Sequence, residues 1–173
     1  MAYIASGMLG ANTGSSSDGT TPLTTLGKVA DWVDTTGSTT TGAGGHATYV
    51  YAASAIAVGN AVVISPNGTA QNLTNALGTA AFGRPAFADF YAFASGEYGW
   101  VKNTGPLTGV NALTLAAASV ALFTSATAGA VDDFATGQTL IRGLYLQSSN
   151  SASTNRVAAV STTFPFFQPG ATS

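Results

Sequence analysis

The stretch Ala61-Val62-Val63-Ile64-Ser65-Pro66-Asn67-Gly68 carries the two signals that decide the fold class. Three β-branched residues in a row favour a β-strand, because such side chains pack well on a pleated surface. Pro66, Asn67 and Gly68 then favour a tight turn, since proline presets φ while asparagine and glycine tolerate positive φ. The sequence therefore predicts a strand over residues 61–65 and a chain reversal directly after it.

Segments of the same kind recur on both sides of this stretch. Aromatic and β-branched residues predict further strands at residues 47–52, 81–83, 87–89 and 98–103, with a turn at 94–97. The alanine-rich run 113–118 predicts a strand or one short turn of helix, since β-branched and aromatic residues follow at once. Short strands separated by Gly, Pro and Asn are typical of a small β-barrel or sandwich. The predicted class is mainly β.

An internal repeat has a spacing of about 60 residues. Residues 60–65 are echoed by 119–124, and each is followed by a turn and a glycine, Gly68 or Gly129. Two further echoes follow in the same order, residues 82–87 by 142–146 and residues 98–102 by 156–160. One β module used twice would give this order. We therefore predict a core over residues 46–163, divided into about 46–105 and 106–163.

The two ends of the chain differ in composition from this core. Residues 1–45 are rich in Gly, Ser and Thr and predict an extended N-terminal arm, either mobile or ordered on a partner. Residues 164–173 form a tail rich in Phe and Pro, and exposing three phenylalanines to water is costly. The tail is expected to dock on its own subunit or on a neighbour.

Charge is scarce in this chain of 173 residues, with five Lys and Arg, seven Asp and Glu, and a net charge of -2. Binding to nucleic acid through phosphates needs clustered Lys and Arg, so a nucleic-acid partner is not expected. Cysteine is absent, which excludes disulfides and thiolate metal sites. Neutral contacts are little affected by salt screening, so any binding is expected to survive high salt.

A membrane partner is not expected either. Residues 103–131 carry no charge, but Thr, Ser, Asn, Gly and Pro interrupt them, and about 18 consecutive apolar residues are needed for a spanning helix. The first seven residues lack the basic region of a signal peptide. We expect a protein made without a targeting segment.

Catalytic and metal-binding patterns are not found in the sequence. Asp132 and Asp133 are adjacent, so in a strand they would point to opposite faces, and a solvated loop is the preferred interpretation. His46 follows two glycines in a stretch that is expected to be flexible, where a general base would be poorly oriented. The prediction is a protein that is not an enzyme and uses neither cofactor nor metal.

Candidate interface residues are large apolar side chains, because Trp, Tyr and Phe are enriched where proteins meet. Most of the aromatic residues between positions 82 and 100 are expected to form the core, with some of them serving as interface anchors. The candidates come from the arm, from the 98–100 strand and from the tail: Tyr3, Ile4, Met8, Leu9, Leu26, Trp32, Tyr98, Trp100, Phe164, Phe166 and Phe167.

Residues 49–160 resemble the small capsid decoration, or cement, proteins of tailed bacteriophages. The resemblance rests on the order of four segments: residues 55–64, 82–88, 95–101 and 121–133. It implies a jelly-roll-like or β-tulip-like module. It also implies a virion protein, made in the host cytoplasm, that binds the outer capsid surface and bridges subunits of the major capsid protein.

The sequence does not choose between a dimer and a trimer, and the resemblance favours a homotrimer. The alternative function is another virion component, such as a tail or fibre protein, or a bacterial surface adhesin. Fibres usually show longer repeats and adhesins an export signal, and neither pattern is visible.

Overall fold

The computed structural model describes residues 16–33, 44–80, 83–113, 116, 119–133, 138–146, 156–160 and 166–168. The mainly β prediction is confirmed, including a small closed barrel. The strands in chain order are β1 (Val29–Val33), β2 (Gly44–Ala52), β3 (Ala61–Ile64), β4 (Thr69–Asn72), β5 (Arg84–Phe87), β6 (Tyr98–Lys102), β7 (Gly105–Val110), β8 (Ala121–Thr124), β9 (Val131–Asp132), β10 (Leu140–Leu146), β11 (Arg156–Val160) and β12 (Phe166–Gln168). One short helix, α1 (Asn75–Thr79), lies between β4 and β5.

The first sheet closes on itself as a five-stranded barrel in the order β2-β4-β3-β5-β6, because β6 also pairs with β2. The β2–β4 pairing is parallel and the other four are antiparallel. The reversal at 65–68 is the predicted turn between β3 and β4, and Gly68 has a φ of 82°. The predicted strand at 87–89 is wrong in its bounds: β5 ends at Phe87, and Asp89 lies beyond it.

All four residues of β3 are buried, which explains their continuous apolar character. Val62 and Ile64 pack inside the first barrel with Val50 and Val101. Ala61 and Val63 point the other way and join a second core with Leu122, Ile141 and their neighbours. Since successive side chains of a strand face opposite sides, β3 forms a wall shared by two cores.

The second sheet repeats the pairings of the first. Its order is β7-β11-β10-β8-β9, and a parallel bridge between Ala112 and Val131 connects the residues after β7 to β9. A line of paired residues crosses the first sheet through Ala61, Phe87, Lys102 and Ala47. The corresponding line in the second sheet is Ala121, Tyr145, Ala159 and Pro106. The two halves of the chain therefore build the same supersecondary unit. Because the Ala112–Val131 bridge links the two ends of the second sheet, we call this sheet the second barrel.

The described part of the N-terminal region packs on the first barrel. β1 pairs with β2 in antiparallel register, from Val29 opposite Thr48 to Val33 opposite Gly44. Gly19 bridges to Tyr98, and the Ser17 hydroxyl donates to Glu97 Oε2 at 2.7 Å. The predicted boundary at residue 45 falls inside β2. Residues 16–33 pack on the first barrel because β1 pairs with β2 and because Ser17 and Gly19 contact residues 97 and 98. The remainder of the predicted arm lies outside the described residues.

The Phe-rich end also meets its own chain. β12 pairs with the first half of β10, which places Phe167 opposite Ile141. Phe167 is buried and belongs to the second core. Of the two docking modes expected for the tail, the structure shows contact with the same subunit for residues 166–168.

The helix α1 was not predicted. Thr74 caps its start, accepting a hydrogen bond from the Leu77 N–H at 3.4 Å. Five residues are too few for a periodic apolar pattern to register in the sequence. Of the helical turn considered at 113–118, only Leu113 and Ala116 are described, and the Ala116 N–H donates to the Leu113 carbonyl at 3.4 Å. Within the described residues no helix is long and apolar enough to span a membrane.

Matched turns precede β3 and β8, and they yield a stability prediction. Gly59 has a φ of 85°, and its N–H donates to the Ala88 carbonyl. Ser119 has a φ of 61°, and its N–H donates to the Leu146 carbonyl. Left-handed backbone costs a non-glycine residue about 1–2 kcal/mol. We expect Ser119→Gly to raise the free energy of unfolding by up to about 1 kcal/mol, since glycine's greater chain entropy offsets part of the gain. Chemical denaturation measures this, and the reciprocal Gly59→Ser should be destabilising. A less stable Ser119→Gly variant would contradict the argument.

Candidate functional site

The chemically most distinctive group of side chains lies where the two barrels meet. Lys102, at the end of β6, places its Nζ 2.5 Å from Oδ2 of Asp89. The side chains are 4% and 0% exposed, so this is a fully buried ion pair. Burial of two charges is costly unless both are well paired and hydrogen-bonded. The pair is therefore the first candidate for a functional or architectural site.

Aromatic rings cover the ammonium group. Lys102 Nζ lies 4.0 Å from the centre of the Trp32 ring and 4.9 Å from that of Phe90. The two rings contact each other edge to face, with centroids 5.7 Å apart. A ring face attracts a cation, and this attraction is strongest when water is excluded. Trp32 in β1 thus links the N-terminal region to the ion pair.

The ion pair also holds β7 of the second barrel. Lys102 Nζ donates to the Pro106 carbonyl at 3.2 Å, and the Gly109 N–H donates to Asp89 Oδ1 at 3.1 Å. Buried backbone donors and acceptors need hydrogen-bond partners. The ion pair supplies partners for the Pro106 carbonyl and the Gly109 N–H, and it thereby connects the two barrels.

Asparagine side chains form a second connection between the barrels. Asn60 Nδ2 donates to Asn72 Oδ1 at 2.9 Å, and Asn111 Nδ2 donates to Asn60 Oδ1 at 3.3 Å. The Asn111 N–H donates to the Gly59 carbonyl, and the Ala61 N–H to that of Gly129. Amides can donate and accept at once, so this network joins neutral strands without adding charge.

The described part of the chain has few side-chain groups suited to acid–base or metal chemistry. No group of three His, Asp or Glu side chains there is close enough to hold a metal ion. Asp132 is half-buried in β9 and not in a loop as predicted, and burial raises the pKa of its carboxyl. Burial also raises the pKa of the Tyr91 phenol, whose oxygen accepts the Trp100 N–H at 2.7 Å. Tyr91 is thereby a neutral structural group.

The interpretation of His46 as part of a flexible stretch is wrong. His46 lies in β2, and its Nδ1 is 2.8 Å from Oδ1 of Asp31 on β1. The two residues face each other in the β1–β2 register, which explains the contact. Because the pair is largely exposed, it contributes little to stability.

The predicted interface residues fall into four groups. Trp32, Trp100 and Phe167 are buried in the cores of the single chain and are not available to a partner in this conformation. Leu26 and Tyr98 are half-buried against a core cluster of Trp32, Ala47, Tyr49 and Trp100. Phe166 lies in β12, and its side chain is not described. The last group lies outside the described residues: Tyr3, Ile4, Met8, Leu9 and Phe164.

The large apolar side chains that do reach the surface were missed by the sequence analysis. Within the part of the chain that the structure describes, they are Leu23, Val29, Val33, Val58, Val120 and Tyr145. Three of the six come from residues 23–33 on the outside of the first barrel. The alternation along β1 could have revealed two of them, because Val29 and Val33 share a face of a strand and Trp32 takes the other.

No protein-family model, curated protein or solved structure matches this chain.

Proposed function

We propose that this protein is a structural component of a bacteriophage virion that binds the outer surface of the capsid and links neighbouring major capsid subunits. The observation that supports this most directly is the character of the described surface. It exposes large apolar side chains, whereas two of the chain's few charged residues, Lys102 and Asp89, neutralise each other inside. Such a surface suits stable packing on a neutral lattice better than electrostatic recognition.

The architecture supports the same proposal. The ion pair and the asparagine network join the two tandem barrels into one unit. A unit that touches more than one capsid subunit gains from effective concentration, because each further contact is intramolecular. If the protein binds the assembled shell and not the free capsid subunits, it stabilises the shell by mass action.

Leu23 offers the sharpest test, since it is 68% exposed and lies on the N-terminal segment. We expect Leu23→Asp to weaken binding to expanded, empty shells of the parent virus by about tenfold, as burying a leucine contributes about 1.5 kcal/mol or more. The measurement is co-sedimentation of purified protein with shells over a range of concentrations. Thr21→Asp is the matched control, because it adds the same charge at an exposed neighbouring residue.

The same assay at low and high salt tests the mechanism. Apolar contacts predict binding that persists at high salt, whereas loss of binding there would show that charge carries the interaction. Absence of co-sedimentation under both conditions would overturn the decoration proposal. Association with tail or fibre fractions instead would favour the alternative virion role.

A further inference from the structure

β1 is an edge strand. It pairs with β2 on one side, and no strand in the described ranges pairs with its other side. An unpaired edge presents backbone donors and acceptors that a second extended segment can complete. Proteins usually protect such edges with charge, proline or a bulge. β1 has neither proline nor a bulge, and its only charged residue is Asp31.

The exposed face of β1 is also symmetric. Val29 and Val33 are 41% and 39% exposed, and Asp31 lies midway between them. Ala30 and Trp32 face the barrel instead. The outward residues therefore form a Val-Asp-Val pattern that is the same in both chain directions.

We propose that β1 is a self-association surface at which a second copy of this chain adds its own β1 in antiparallel register, with Asp31 on the two-fold axis. In this register Val29 lies opposite Val33 of the second copy, and Val33 lies opposite its Val29. A two-fold contact requires a surface that is complementary to itself, and a symmetric strand meets that requirement. The β2–β1 ladder then continues through the second copy as a four-stranded ribbon.

Charge gives this register a distinctive signature. The two Asp31 carboxylates come to lie opposite each other, and like charges in that position are destabilising. Each carboxylate is held by His46 of its own chain at 2.8 Å, on the side towards β2. Removing the negative charge should therefore strengthen the contact, even though it breaks the Asp31–His46 pair.

The test uses the full-length chain alone, without shells, so its outcome is independent of the proposed capsid function. Sedimentation velocity over a range of concentrations gives the monomer–dimer equilibrium. We expect Val33→Lys to weaken dimerisation by at least about tenfold, because each dimer loses two apolar cross-strand pairs. Val120→Lys is the matched control, since Val120 is 37% exposed and lies beside β8. Val33→Thr keeps the β-branched shape and should weaken the dimer in the same direction.

Asp31→Asn is expected to tighten dimerisation by up to about fivefold. A strictly monomeric chain at all concentrations would overturn the proposal, including the case in which another segment of the same chain covers β1. Equal effects of Val33→Lys and Val120→Lys would also overturn it, as would a trimer that does not respond to either valine.

Discussion

Replacing Lys102 with methionine is expected to lower the free energy of unfolding by about 3–5 kcal/mol, because it leaves the Asp89 carboxylate buried without its counter-charge. The variant also removes the donor to Pro106 and the cation between the Trp32 and Phe90 rings. Methionine fills a similar volume, so a cavity contributes little. Denaturant-induced unfolding, with the slope checked for two-state behaviour, measures the loss.

The double variant Lys102→Met/Asp89→Asn separates charge from packing. Asparagine can still accept the Gly109 N–H but carries no charge, so the double variant should be more stable than Lys102→Met alone. Asp31→Asn, measured at concentrations where the chain is monomeric, is the control for an exposed ion pair and should cost less than about 1 kcal/mol. If Lys102→Met lowered the free energy of unfolding as little as Asp31→Asn, the ion pair would not be what holds the two barrels together.

Trp32→Ala is expected to destabilise the protein by about 3–5 kcal/mol, the usual cost of removing a large aromatic side chain from a core. Trp32 is 2% exposed, its Nε1–H donates to the Thr104 carbonyl at 3.2 Å, and its ring covers Lys102. The loss should appear as a lower denaturation midpoint and, because the ring shields the ion pair, as lower stability of both barrels together.

Leu23→Ala is the control for this variant. Leu23 belongs to the same N-terminal segment but is mostly exposed, so its truncation should change stability by no more than about 0.5 kcal/mol. A Trp32→Ala variant as stable as Leu23→Ala would mean that residues 16–33 do not belong to the folded unit.

The strands that were predicted correctly are those whose local signals agree. Residues 61–65 combine β-branched side chains with a strong turn, and the structure has β3 and a reversal there. β4 and β7 were missed because Gly, Pro, Thr or polar residues dilute the pattern. β1 was missed because it lies within residues 1–45, which were predicted to form an extended arm. These strands form because a neighbour supplies hydrogen bonds, which no local window of sequence contains.

The candidate site was even less predictable from the sequence than the strands were. Lys102 and Asp89 are 13 residues apart, and Trp32 is far from both in the sequence. A lysine at a strand end is ordinarily solvent-exposed, so its burial could not be inferred from its neighbours. Trp32, Trp100 and Phe167 were assigned to an interface for a related reason: a large aromatic residue looks equally suitable for a core or for a partner.

The sequence by itself determined that the chain is β-rich, repeats a unit after about 60 residues and carries very few charges. Those properties follow from composition and short-range patterns, which are the same however the chain folds. Only the tertiary structure decided which apolar residues are buried, which charges meet and which strand edge is left open. Those properties depend on contacts between distant segments, and closing the two barrels against each other is what creates them.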